Sequence, residues 1–126
     1  MPYTTSLITN TRAIGTAASN VVVNARNITN VQALVLVEVY VVPATTQVLQ
    51  LAYLTGYFLP GQSSDSRTFF IGGDIAYEVQ LSVIGPLTEV VLSTFGLDEF
   101  GNLVHGQRVL QEEMTVISTL SASPEP

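Results

Sequence analysis

The chain has 126 residues, a length that suits one domain, with a hydrophobic content of 47% and a charged content of only 11%. Four arginines and no lysine stand against ten acidic residues, for a net charge of −6. That balance excludes nucleic-acid binding, which needs clustered cations, and disfavours an anionic membrane surface. Cysteine is absent, so disulfides, thiolate metal sites and cysteine nucleophiles are excluded as well.

Residues 1–18 are rich in Thr, Ser and Asn, with a short apolar stretch at Leu7-Ile8. They have no basic n-region and no apolar h-region, so no conventional signal peptide is expected. The stretch reads as an extended N-terminal arm: a flexible segment or edge strand, or a connector or donor strand for another subunit's open sheet edge.

Seven segments then carry β-branched alternation bounded by Gly, Pro, Asn and Asp, and none carries helical periodicity. They are Asn20–Asn27, Gln32–Val42, Gln47–Phe58, Arg67–Ile71, Ile75–Ile84, Glu89–Gly96 and Leu103–Ile117, the last expected to bend near Gly106. Gln32–Val42 alternates most strictly, with Val35, Val37, Val39 and Val41 on one face and Leu34, Leu36, Glu38 and Tyr40 on the other. Ile75–Ile84 puts Tyr77, Val79, Leu81 and Val83 opposite Glu78, Gln80 and Ser82. Gly72-Gly73-Asp74 supplies a tight reversal, Pro60–Asp65 an exposed connection, and Asp98–Asn102 a hairpin loop.

No formal charge falls between Glu38 and Asp65, a run long enough for a bilayer. Pro43, Gly56, Pro60 and Gly61 within it argue against a transmembrane helix. The expected fold is a single all-β antiparallel sandwich or jelly roll of about 7–8 strands. It occupies residues 19–118, with 119–126 as a flexible tail.

Catalytic signals are weak. His105 is the one histidine and reads as a half-exposed strand residue, since a base needs a nucleophile and an orienting group around it. Glu112 and Glu113 are adjacent and point to opposite faces of a strand. Asp98–Asn102 lacks the alternating oxygens and terminal Glu of a calcium loop. The Gly56/Gly61 and Gly101/Gly106 spacings have no following lysine to reach a phosphate. Asn27-Ile28-Thr29 matches the glycosylation pattern. No enzyme, metal or cofactor is expected.

Several strands look apolar on both faces, and a small sandwich has one interior face per sheet. The surplus is expected to be covered by copies of the same chain. The residues expected at that contact are Leu7, Ile8, Ile14, Leu34, Leu36, Tyr40, Tyr53 and Tyr57. A surface glycan stacked on Tyr53, Tyr57 and Phe58 is the rival partner, and a virion or phage structural protein the rival setting.

Two stretches carry a family resemblance. One runs from Pro60-Gly61-Gln62-Ser63-Ser64-Asp65-Ser66-Arg67-Thr68-Phe69 through Tyr77-Glu78-Val79-Gln80. The other runs from Phe95-Gly96-Leu97-Asp98-Glu99-Phe100-Gly101-Asn102-Leu103-Val104 to Arg108-Val109-Leu110 and Glu113-Met114. They resemble small β-proteins of the Firmicutes spore surface. In plan the chain is similar to endospore appendage (Ena-type) subunits, a jelly roll preceded by an N-terminal connector. The resemblance implies a structural subunit of a spore-surface or extracellular fibre. Connector cysteines that crosslink such subunits are missing here, so only non-covalent assembly carries over.

Overall fold

The computed structural model describes residues 2–10, 17–85 and 89–122. Their strands are β1 (Pro2–Thr4), β2 (Ile8–Thr9), β3 (Asn20–Asn27), β4 (Ala33–Pro43) and β5 (Gln50–Leu59). There follow β6 (Ser64–Phe70), β7 (Asp74–Ile84), β8 (Val90–Leu97), β9 (Leu103–Leu110) and β10 (Thr115–Val116). Two antiparallel sheets face each other. Sheet A runs β10-β1-β7-β4-β5, with β2 also on β7, and sheet B runs β6-β3-β8-β9. The expectation of an all-β sandwich holds.

Alternation explains which face closes on which. Val35, Val37 and Val39 of β4 lie opposite Val83, Leu81 and Val79 of β7. Together with Val21 and Val23 of β3 and Leu92 of β8 they fill the space between the sheets, where all but the half-buried Val83 are buried. The β-branched positions suit this role because their stiff side chains pack well on a pleated surface.

Three sequence boundaries are corrected. Leu103–Ile117 is not one strand. It bends at Gly106, whose φ of 87° is left-handed, and β9 then stops at Leu110. A 3-10 turn at Gln111–Glu113 follows, closed by the Leu110 N–H donating to Glu113 Oε1 at 2.8 Å. The chain thereby leaves sheet B and enters sheet A as β10.

The N-terminal arm is part of its own sheet: β1 lies between β10 and β7, and β2 pairs with β7. Tyr3 pairs with Leu81 and Ile8 with Tyr77, both on β7. Between them the Thr5 N–H donates to Val79 O at 3.0 Å, and past the end of β2 the Asn10 N–H donates to Ile75 O at 2.8 Å. Ser6, at φ 66°, makes the break between β1 and β2.

The supposed flexible tail is docked as far as it is described, through Ala122. Leu120 is buried, and Ser121 N–H donates to Gln80 Oε1 at 2.8 Å.

Candidate functional site: the outer face of sheet A

The outer face of sheet A can be built from register alone. Phe58 of β5 lies across from Leu34 of β4, which lies across from Ile84 of β7. The next row is Gly56, Leu36 and Ser82, and the next Leu54, Glu38 and Gln80. A bulge between Val39 and Tyr40 shifts the register, so Leu51 rather than Ala52 faces Tyr40. Phe58 is 65% exposed, Leu54 59%, Ile84 48% and Leu51 42%. Leu34 and Leu36 are half-buried between them.

Glycine has a role at Gly56. A Cβ there would come within 2.8 Å of Leu36 Cδ2, so the missing side chain lets Leu36 lie across the strand. The result is a contiguous apolar surface over β5, β4 and the end of β7. Such a patch is unusual on an unpartnered face.

β5 is also an edge. Among the described residues it pairs only with β4, and it contains no charged residue, proline or lysine guard. The neighbouring edge, β6 of sheet B, is different. There Arg67 Nε and Asp65 Oδ2 form an ion pair at 2.8 Å.

The other end of the face is polar and covered. Glu38 is fully buried although it points away from the core. Tyr40 Oη donates to its Oε1 at 2.5 Å, and the Ala122 N–H donates to the same oxygen at 3.2 Å. Gln80 Nε2 donates to Glu78 Oε2 at 2.9 Å and to Ser121 Oγ at 2.8 Å. Thr4 Oγ1 also donates to Glu78 Oε2.

The expected contact residues scatter over these places. Leu34 and Leu36 lie in the patch, and Tyr40 lies under residues 121–122. Leu7 is exposed at the β1–β2 break, Ile8 packs partly against the core, and Ile14 is outside the described residues. Tyr53 and Tyr57 are corrected: both stand on the core side, opposite Val39 and Val35. Tyr53 Oη donates to Phe70 O at 2.8 Å, and its ring lies 5.2 Å from that of Phe69. Arg67 sits 3.9 Å over the Tyr57 ring. Tyr53, Tyr57 and Phe58 therefore form no common strip for a sugar. As contact residues the sequence reading missed Leu51, Leu54 and Ile84, and it assigned Phe58 to a glycan instead. Pairing β5 to β4 in antiparallel register puts Leu54 and Phe58 outward; the bulge that adds Leu51 left no sequence signal.

Other chemistry signals resolve into local structure. Asn27 is fully buried: its Nδ2 donates to Val31 O at 2.8 Å and Leu59 O at 3.1 Å, while Oδ1 accepts from Thr29 N and Oγ1. The glycosylation pattern is thus a fold anchor. Asp98 Oδ1 accepts the Phe100 and Asn102 N–H groups, each at 2.9 Å, inside its own hairpin loop. His105 is exposed on β9, beside a groove lined by Phe95, Gly96, Leu103 and Arg108. Among the described residues no three His, Asp or Glu side chains cluster as metal ligands do.

Burial raises three tyrosine phenols. Tyr57 is pushed up to about 12, mainly by desolvation, with the Asp65 carboxylate adding and the Arg67 guanidinium opposing. Tyr40 and Tyr77 are raised further, both chiefly by burial. A phenol whose folded pKa exceeds its unfolded value stabilises the fold fully below about pH 10. That stability is lost as pH rises through the folded pKa. An ultraviolet titration is therefore expected to show Tyr40, Tyr57 and Tyr77 silent at pH 10.5 in the folded protein. Unfolding in denaturant should release them at pH 10. Ionisation of all five tyrosines near pH 10 without unfolding would contradict these assignments.

Comparison with family models, with curated proteins and with solved structures finds no match to this chain.

Proposed function

We propose that this chain is a non-enzymatic structural subunit that associates non-covalently with copies of itself, through the outer face of sheet A and the free edge of β5. The observation that carries this reading is the contiguous, uncharged apolar surface formed by Phe58, Leu54, Leu51, Ile84, Leu34 and Leu36. A second copy fits it best. At a net charge of −6 copies repel one another in general, but neither β5 nor the exposed part of the face contributes to that repulsion. Two β5 strands meeting antiparallel about a two-fold axis satisfy each other's open backbone groups. The same pairing brings two apolar faces into one continuous surface.

Donor-strand pairing by the N-terminal arm receives no support from the fold, because β1 and β2 already pair with β7 of their own chain. A two-fold contact gives a closed dimer, and a fibre requires a second, different contact. The resemblance described above is what supports a fibre and a spore-surface or extracellular setting. Negative-stain imaging of concentrated protein tests the reading. Filaments are the expected result; dimers alone would keep the contact and remove the fibre. Isolated single sandwiches at every concentration would overturn both.

A further inference from the structure

One segment stands on the same outer face. Ile117 N–H donates to Pro2 O at 3.0 Å, which continues the β10–β1 ladder one residue past Val116. Leu120 is then buried, and residues 121–122 reach the middle of the sheet. Their bonds there are to side chains rather than to a strand ladder. Ser121 N–H and Oγ engage the two ends of the Gln80 amide, each at 2.8 Å. Ala122 N–H reaches Glu38 Oε1. The contacts form one connected polar chain, from Thr4 through Glu78, Gln80, Ser121 and Ala122 to Glu38 and Tyr40.

Packed sheets stack about 10 Å apart, with interdigitating side chains filling the gap. A stretch of backbone lying on one of them occupies that gap. It also hides Tyr40, Gln80 and Glu38, which continue the rows of Leu51 and Leu54. While it is docked, two copies can meet only on the open part of the face, from β5 across Leu34 and Leu36 to Ile84.

We infer that residues 117–122 form an intramolecular strap that restrains self-association, latched by Glu38 and Gln80. Its release extends the contact to the covered end of the face, over Tyr40, Glu38 and Gln80. The inference rests on the self-association reading above and adds its regulation.

Two variants lift the strap by different means: a chain ending at Ile117, and the full chain with Leu120→Asp. Sedimentation velocity over a dilution series is expected to show roughly tenfold tighter self-association for both, a common size for coupling between two sites. Circular dichroism checks that the sandwich persists. In the dilute unaltered chain, the Ser121 and Ala122 amides are expected to be protected from hydrogen exchange, and Leu120→Asp should abolish that protection. Equal association in all three proteins would overturn the strap and leave the self-association reading standing. No association in any of them would overturn both. If neither variant folds, the exchange measurement decides: unprotected Ser121 and Ala122 amides in the unaltered chain overturn the strap, and protected ones uphold it.

Discussion

Asn10→Ala is expected to destabilise the folded chain by roughly 3 kcal/mol, a large share of the ~5–15 kcal/mol that holds a small domain together. Asn10 is buried at the end of β2. Its Nδ2 donates to Ala18 O at 3.0 Å and to Asp74 O at 3.2 Å. Its Oδ1 accepts from Ala18 N at 2.9 Å and from Gln107 Nε2 at 2.9 Å. The far end of Gln107 accepts from Tyr77 Oη at 2.7 Å, so one buried network ties β2, β7 and β9. Removing the amide takes the side-chain partner from two donors and two acceptors, in bonds that are buried except for the part-buried one to Asp74 O. Each unsatisfied group there costs on the order of 1–3 kcal/mol, partly relieved by relaxation. Denaturant unfolding followed by circular dichroism measures the loss, with an unchanged slope. A loss below about 1 kcal/mol would show that the network is incidental.

This network also shows where the sequence stops being legible. The seven alternating segments are visible because a sheet with one buried face writes its period of two into the chain. Val35, Val37 and Val39, or Tyr77, Val79 and Leu81, need no partner to be recognised as a core face. Asn10 and Gln107 are 97 residues apart, and Ala122 and Glu38 are 84 apart. Single long-range bonds of this kind leave no periodicity, so residues 1–18 stay open between flexible arm, edge strand and connector, and 119–126 read as a flexible tail. Glu38 on an otherwise apolar face was the one local hint that something covers it, since a buried carboxylate must be hydrogen-bonded.

Tyr53 and Tyr57 failed as contact residues for a related reason. An apolar pattern on both faces of the segment makes either face a candidate contact, while register puts Tyr53 and Tyr57 on the Val39 and Val35 side. Face assignment in β5 needs its partner strand, and the partner is fixed only once β4 and β5 fold against each other.

The second large effect is expected at the outer face itself. Leu54→Lys combined with Phe58→Lys should weaken self-association by on the order of a hundredfold or more. A large apolar side chain contributes about 1.5–3 kcal/mol on burial, and in a two-fold contact each position counts twice. Lysine also guards an edge strand against pairing. Both residues are exposed in the single chain, so its own stability should move by no more than about 0.5 kcal/mol. The separation matters, because a variant that merely unfolded would lose both properties together. Sedimentation velocity reads the first effect and chemical unfolding the second.

The most direct measurement is hydrogen exchange of the β5 amides, from Gln50 to Leu59, in dilute and in concentrated protein. Burial of this edge by a second copy predicts that exchange along β5 slows as concentration rises, while the charged edge at β6 keeps one rate throughout. Identical β5 exchange at both concentrations would contradict the account.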